Sequence, residues 1–155
     1  MRLFCMTTAY DVPAENLITK LADKLKQDPK FKPPDWSQYV KTGIHREKPP
    51  VNDDWWYLRT AAVLRKIYIH SPVGVKHVSQ MFGGSINKGS KPNQSWSGSR
   101  SIIRYTMKQL ESAGFIKTVE GKGRVIQPVG QKLLDGIAHE IHKDLVDEIP
   151  SLAKY

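Results

Sequence analysis

Apolar residues return at helical spacing in four stretches of the chain. Over 13–28, Leu17, Ile18, Leu21 and Leu25 fall on one face of a helix. Pro13 suits its first position, Asp11 stands near the cap, and Asp28-Pro29 ends it. Residues 29–50 are rich in Pro and Lys and read as mostly irregular, with a short helical turn at 35–40 and Trp36 as an aromatic anchor. A second helix spans 53–69, with Leu58, Ala61, Ala62, Leu64 and Tyr68 inward. Asn52, Asp53 and Asp54 supply acceptors and negative charge at its start, and Ser71-Pro72 stops it. A short helix over 75–82 points Val75, Val78 and either Met81 or Phe82 inward.

Residues 83–98 have no helical period and read as a turn-forming loop, of a length that is usually functional or mobile. A strong helix follows over 99–113, with Ile103, Met107 and Leu110 toward the core and Gly114 as its stop. Residues 115–119 and 124–126 read as strands joined by Glu120-Gly121-Lys122-Gly123. Pro128 opens a last helix whose inner face is Leu134, Ile137, Ile141, Leu145 and Ile149. Among Trp55, Trp56 and Tyr57, at least two should pack in the core, as should Trp36.

The order helix, short helix, basic helix, hairpin, helix predicts a mainly α fold: a winged helix-turn-helix core with additional helices and one β-hairpin wing. The 155 residues suit a single domain over 1–155, with 83–98 a basic loop. Residues 1–6 read as a disordered or non-native extension, with Met6 a candidate initiator. That stretch is too short for a signal-peptide core, and no apolar run could span a bilayer, so a cytoplasmic protein with no membrane partner is expected. The lone Cys5 excludes an internal disulfide and a multi-cysteine zinc site.

Charge changes the picture. Of the net +9, residues 1–40 carry +1, residues 41–125 carry +10 and residues 126–155 carry −2. No acid occurs between Asp54 and Glu111, where Arg59, Arg65, Lys66, Lys76, Lys88, Lys91, Arg100, Arg104 and Lys108 all lie. Solvated surfaces usually mix both signs, so a block of one sign inside a foldable sequence points to a polyanionic partner. Arg100, Arg104 and Lys108 repeat every four residues, a stripe about 12 Å long at 1.5 Å per residue. Lys122 and Arg124 sit at the hairpin wing.

A helix-turn-helix joins its helices by a turn of three or four residues, whereas about fifteen separate Phe82 from Ser99. A loop of that length would obstruct simple insertion into a B-form major groove. It suits folded RNA, read by shape and by splayed bases, with Lys88, Lys91 and Trp96 as contacts. Trp96 could equally stack on a base or pack against the domain. A winged-helix transcription regulator on duplex DNA is the alternative reading. His139 and His142 lack an HExxH pattern or acidic and cysteine partners, so surface histidines are expected, with no metal, no cofactor and no catalytic site.

Four segments together carry a family resemblance: Pro34-Asp35-Trp36 through Gly43; Pro49-Pro50 with Asp54 through Arg65; Pro72 through Val75 followed by Phe82-Gly83-Gly84; and Gly98-Ser99 through Arg104, ending in Gln109-Leu110-Glu111. Tyr10-Asp11-Val12-Pro13 adds a likeness to archaeal members. The chain resembles the small-subunit ribosomal protein family nineteen-e over nearly its whole length. The resemblance implies a mainly helical fold around a winged helix, a place in the head of the small subunit, contacts to ribosomal RNA and neighbouring ribosomal proteins, and a part in subunit maturation. It maps the family's basic surface onto Arg59, Arg65, Lys66, Arg100 and Arg104. A monomer is expected when the protein is free.

Overall fold

In the computed structural model, which describes residues 7–149, 151 and 152, the chain is mainly α. The expectations for Cys5, Met6 and the rest of 1–6 fall outside the described residues. Helix α1 (Ala14–Lys26) is followed by single 3₁₀ turns at Pro29–Phe31 and Asp35–Gln38. Then come α2 (Trp55–His70), α3 (Val75–Met81), the hairpin β1 (Gly84–Lys88) and β2 (Lys91–Trp96), and α4 (Arg100–Ser112). A second hairpin, β3 (Ile116–Val119) and β4 (Gly123–Ile126), leads into α5 (Pro128–Glu148).

The helical periods predict the buried faces. Leu17, Leu21 and Leu25 of α1, Ala61, Val63, Leu64 and Ile67 of α2, Ile103, Met107 and Leu110 of α4, and Leu134, Ile137 and Ile141 of α5 share one apolar cluster. Helix α1 packs on α2 and α5, and α4 packs on α2 and α3. Leu145 only half joins the cluster, and Ile149, expected on the inner face, is 49% exposed because α5 ends at Glu148 and the backbone at Ile149 has left the helix.

The polar ends of the helices differ in detail from expectation. Pro13 precedes α1 rather than opening it, and Asp11 accepts from Thr8 N–H (2.7 Å) and Thr8 Oγ1 (2.9 Å), closing the turn before the helix. These two hydrogen bonds hold the Asp11 carboxyl below the usual carboxylate range. Asp54 does not cap α2 with its side chain; it pairs with Lys26 Nζ at 2.7 Å and so ties α2 to α1. Ser99 does cap α4, accepting from Ile102 N–H at 3.5 Å. Gly114, at φ +79°, ends that helix, with Phe115 N–H donating to Leu110 O (3.0 Å).

The main correction concerns 83–98, read from sequence as a loop. It is an antiparallel hairpin, so the fold carries two hairpins rather than one. Gly84 pairs with Trp96, Ser85 with Ser95, Ile86 with Gln94, and Lys88 with Lys91. The register shift after Ile86 accommodates Pro92, which has no N–H to give a ladder. Gly89, at φ +78°, makes the two-residue turn with Ser90, and Asn87 Oδ1 accepts from Gly89 N–H at 2.9 Å. Every residue of β2 is exposed, and in β1 only Gly84 and Ile86 are half-buried, so the ribbon has too little apolar alternation to read as strands.

Such a ribbon is marginal alone, and its base is anchored. Gly98 N–H donates to Ser79 O (2.8 Å), Ser99 N–H donates to Thr42 O (3.0 Å), and Gly43 bridges Gly98. A Cβ on Gly83 would stand 2.4 Å from Trp96 O, so only glycine fits that crossing. The second hairpin is held against the segment after α2: Val73 N–H donates to Arg124 O (3.0 Å) and Arg124 N–H to Val73 O (2.8 Å).

Candidate nucleic-acid interface

Arg100, Arg104 and Lys108 project from the outer side of α4, all exposed, while Ile103, Met107 and Leu110 anchor its other face. The stripe read from the spacing is therefore a real surface feature. Lys88 and Lys91 face each other at the far end of the first hairpin. Lys88 Nζ donates to Gln94 Oε1 (2.7 Å) and lies 5.4 Å from the centre of the Trp96 ring, which is 40% exposed. Trp96 thus presents an aromatic surface beside a cation on the hairpin. Lys76 on α3 and Lys122 at the tip of the second hairpin are exposed. Arg65, Lys66 and Arg124 are half-buried, and Nε of both Arg65 and Arg124 is enclosed without a hydrogen-bond partner, so these two arginines can offer only their outer nitrogens.

Arg59 is the least comfortable cation. Its neighbours on α2, Trp56 and Thr60, are buried, and its guanidinium carbon sits 4.4 Å from the centre of the Phe82 ring. Burial first, and the positive charge of Arg46 second, lower its pKa from the usual guanidinium range to about 10. It lines an open cleft of about 1310 Å³ together with His45, Arg46, Lys48, Ser85 and Asn87, and with the acids Glu15 and Glu47. Neither acid is ion-paired with it.

His45 was not anticipated as part of this surface. Its ring fills the space left by two glycines: a Cβ on Gly43 or on Gly84 would stand 2.8 Å from it. His45 Nδ1 is buried without a partner, and burial, then Arg46 and Arg59, lower its pKa. No local sequence signal marks this histidine; its site forms only where the 42–45 bend meets the first hairpin.

The distribution of ion pairs completes the electrostatics. Among the described residues, carboxylates pair with Lys20 (to Asp144), Lys24 (to Glu140, 3.0 Å) and Lys26 (to Asp54, 2.7 Å), all on α1. No cation of 41–125 has a carboxylate partner there. Among the described residues no cluster of His, Cys, Asp and Glu could hold a metal, and no helix is long and apolar enough to cross a membrane.

A mainly helical scaffold with an exposed hairpin and a surface of cations without carboxylate partners among the described residues defines a class of small, basic, mainly α proteins. The chain belongs to the ribosomal protein S19e family, whose model matches residues 8–144. It is similar to the small ribosomal subunit protein eS19 of Thermoplasma acidophilum, 45% identical over 150 residues that cover 97% of this chain and 99% of that one. The eS19 of Aeropyrum pernix is 43% identical over 152 residues, covering 97% and 99%. The eukaryotic eS19A of Schizosaccharomyces pombe is 40% identical over 131 residues, covering 84% and 91%. The family is one of ribosomal proteins, not of enzymes.

Proposed function

We propose that this chain is a structural constituent of the small ribosomal subunit, in its head, that binds ribosomal RNA, meets neighbouring ribosomal proteins and assists maturation of the subunit. The observation that carries the RNA reading is the set of cations over 41–125 left without carboxylate partners while those of α1 are neutralised. Phosphates would supply the missing charge, releasing counterions and making the affinity salt-sensitive. Arg59, Arg65, Lys66, Lys76, Lys88, Lys91, Arg100, Arg104, Lys108, Lys122 and Arg124 are the phosphate contacts in this reading, with Trp96 stacking on a base. The protein acts as a single domain, free as a monomer, and its place of work is the cytoplasmic ribosome.

Helices α2, α3 and α4 followed by the β3–β4 hairpin support a winged-helix description, with α4 in the recognition position. The β1–β2 ribbon inserted between α3 and α4 favours irregular RNA over a B-form groove, because it projects where a regulator would have a tight turn. Sedimentation of a cell extract at moderate and high salt tests the assignment. Co-migration with small subunits through the high-salt wash is the expected result. Recovery only in the soluble fraction or on DNA would refute it. Charge reversal of Arg104 should weaken RNA association at unchanged helix content.

A further inference from the structure

A second surface adjoins the α4 stripe and contains residues not yet assigned a role. Segment 30–36 and the outer side of α4 enclose an open groove of about 730 Å³, lined by Lys30, Lys32, Trp36, Tyr105 and Lys108, with Asp35 the acid among its described lining residues. Trp36 was expected in the core, yet it is 37% exposed, and Tyr105 beside it is 40% exposed. Their rings meet edge-on at 5.8 Å and 88°. Beneath both lies Trp56, fully buried, 5.6 Å from Trp36 and 5.8 Å from Tyr105. Gln109 locks this arrangement: its Oε1 accepts from Trp56 Nε1 (3.0 Å) and its Nε2 donates to Lys32 O (2.9 Å). The groove is thus formed before any ligand arrives.

Single exposed aromatics need no explanation. Two adjacent ones on a fixed support, rimmed by lysines without carboxylate partners, are the combination that takes single-stranded nucleic acid: rings for the bases and cations for the backbone. Lys108 also belongs to the α4 stripe, so the groove continues the surface proposed above. A protein segment would have to bring its own acids to these ammonium groups, whereas RNA carries a phosphate with every nucleotide. We propose that the groove between segment 30–36 and α4 holds an unpaired stretch of RNA, one base stacked on Trp36 or Tyr105 and the flanking phosphates on Lys30, Lys32 and Lys108. This rests on the RNA reading and adds a second, single-strand-specific site to it.

Photo-crosslinking of the full-length protein to a single-stranded oligouridylate carrying one thiouridine, with mass-spectrometric mapping, is the test, repeated on assembled small subunits. Crosslinks on Trp36 or Tyr105 are expected, with the free oligonucleotide competed by single strands and not by duplex. In a binding titration, Tyr105→Leu should weaken oligouridylate about five- to a hundredfold, the loss of one stacked base. The exposed Lys30→Glu/Lys32→Glu variant, which disturbs no packing, should weaken it at least as much. Crosslinks confined to Lys91, Trp96, Arg100 or Arg104 would overturn this proposal and leave the RNA reading intact. Crosslinks from the groove to a neighbouring protein would overturn it in favour of a protein contact. Absence of RNA binding anywhere would remove both.

Discussion

Replacing Arg59 by Met should make the free protein more stable while weakening its hold on RNA. The guanidinium is half-buried, has no carboxylate partner and stands near Arg46. A fall from the usual guanidinium range to about 10 corresponds to a penalty of about 3 kcal/mol on the charged form. Solvation at the open cleft reduces this to about 1–2 kcal/mol. The contact with Phe82 returns about 0.5–1 kcal/mol. Methionine keeps an unbranched apolar stem and loses both charge terms, so the net expectation is about 0.5–1 kcal/mol of added stability. For a chain of this size that is a rise of about 1–4 °C in Tm. Because the folded-state pKa lies below the unfolded one, the penalty is present at every pH below about 10 and is relieved only as pH rises above that. Thermal unfolding at neutral pH, with a parallel RNA-binding titration, measures both effects. A Tm several degrees lower would mean that the fold already satisfies the charge. A higher Tm with unchanged RNA affinity would mean that no phosphate uses it.

Trp56→Ala should cost about 3–5 kcal/mol, since the ring is fully buried and its Nε1–H satisfies Gln109; Trp55→Ala, at a half-buried position, should cost clearly less in the same denaturant titration. Gly83→Ala should unseat the first hairpin, because its Cβ would meet Trp96 O at 2.4 Å; faster amide exchange confined to 84–96, with the helical core still protected, would show it. Tyr68 donates to Asp135 Oδ1 at 2.9 Å, and burial together with this bond raises its pKa from 10.0 to about 12. The unfolded phenol ionises first, so stability should fall as pH climbs from about 10 to 12; Tyr68→Phe should flatten that fall, and an unchanged profile would exclude Tyr68 as its source.

Position along the chain alone determined the helices and their stops. The apolar repeats of α1, α4 and the first part of α5 name their own buried faces, because a helix maps spacing onto direction without help from the rest of the fold. Pro72 and Gly114 end helices for reasons within a few residues of themselves. The α4 stripe was legible for the same reason, as was the central block of positive charge. Tertiary structure decided the rest. The ribbon over 84–96 buries no residue fully, only Gly84 and Ile86 by half, so no hydrophobic period marks it, and its base is held by anchors at Ser79, Thr42 and Gly43. Asp54 chose Lys26 over its own helix end because α1 lies alongside. Arg59 looked like any surface cation until the fold half-buried it against Phe82 and near Arg46. Trp36 and Tyr105 lie far apart in sequence and become one groove only because both rest on Trp56. Periodicity records which side of an element faces the core, whereas a site depends on which elements meet, and that meeting is set by packing between residues distant along the chain.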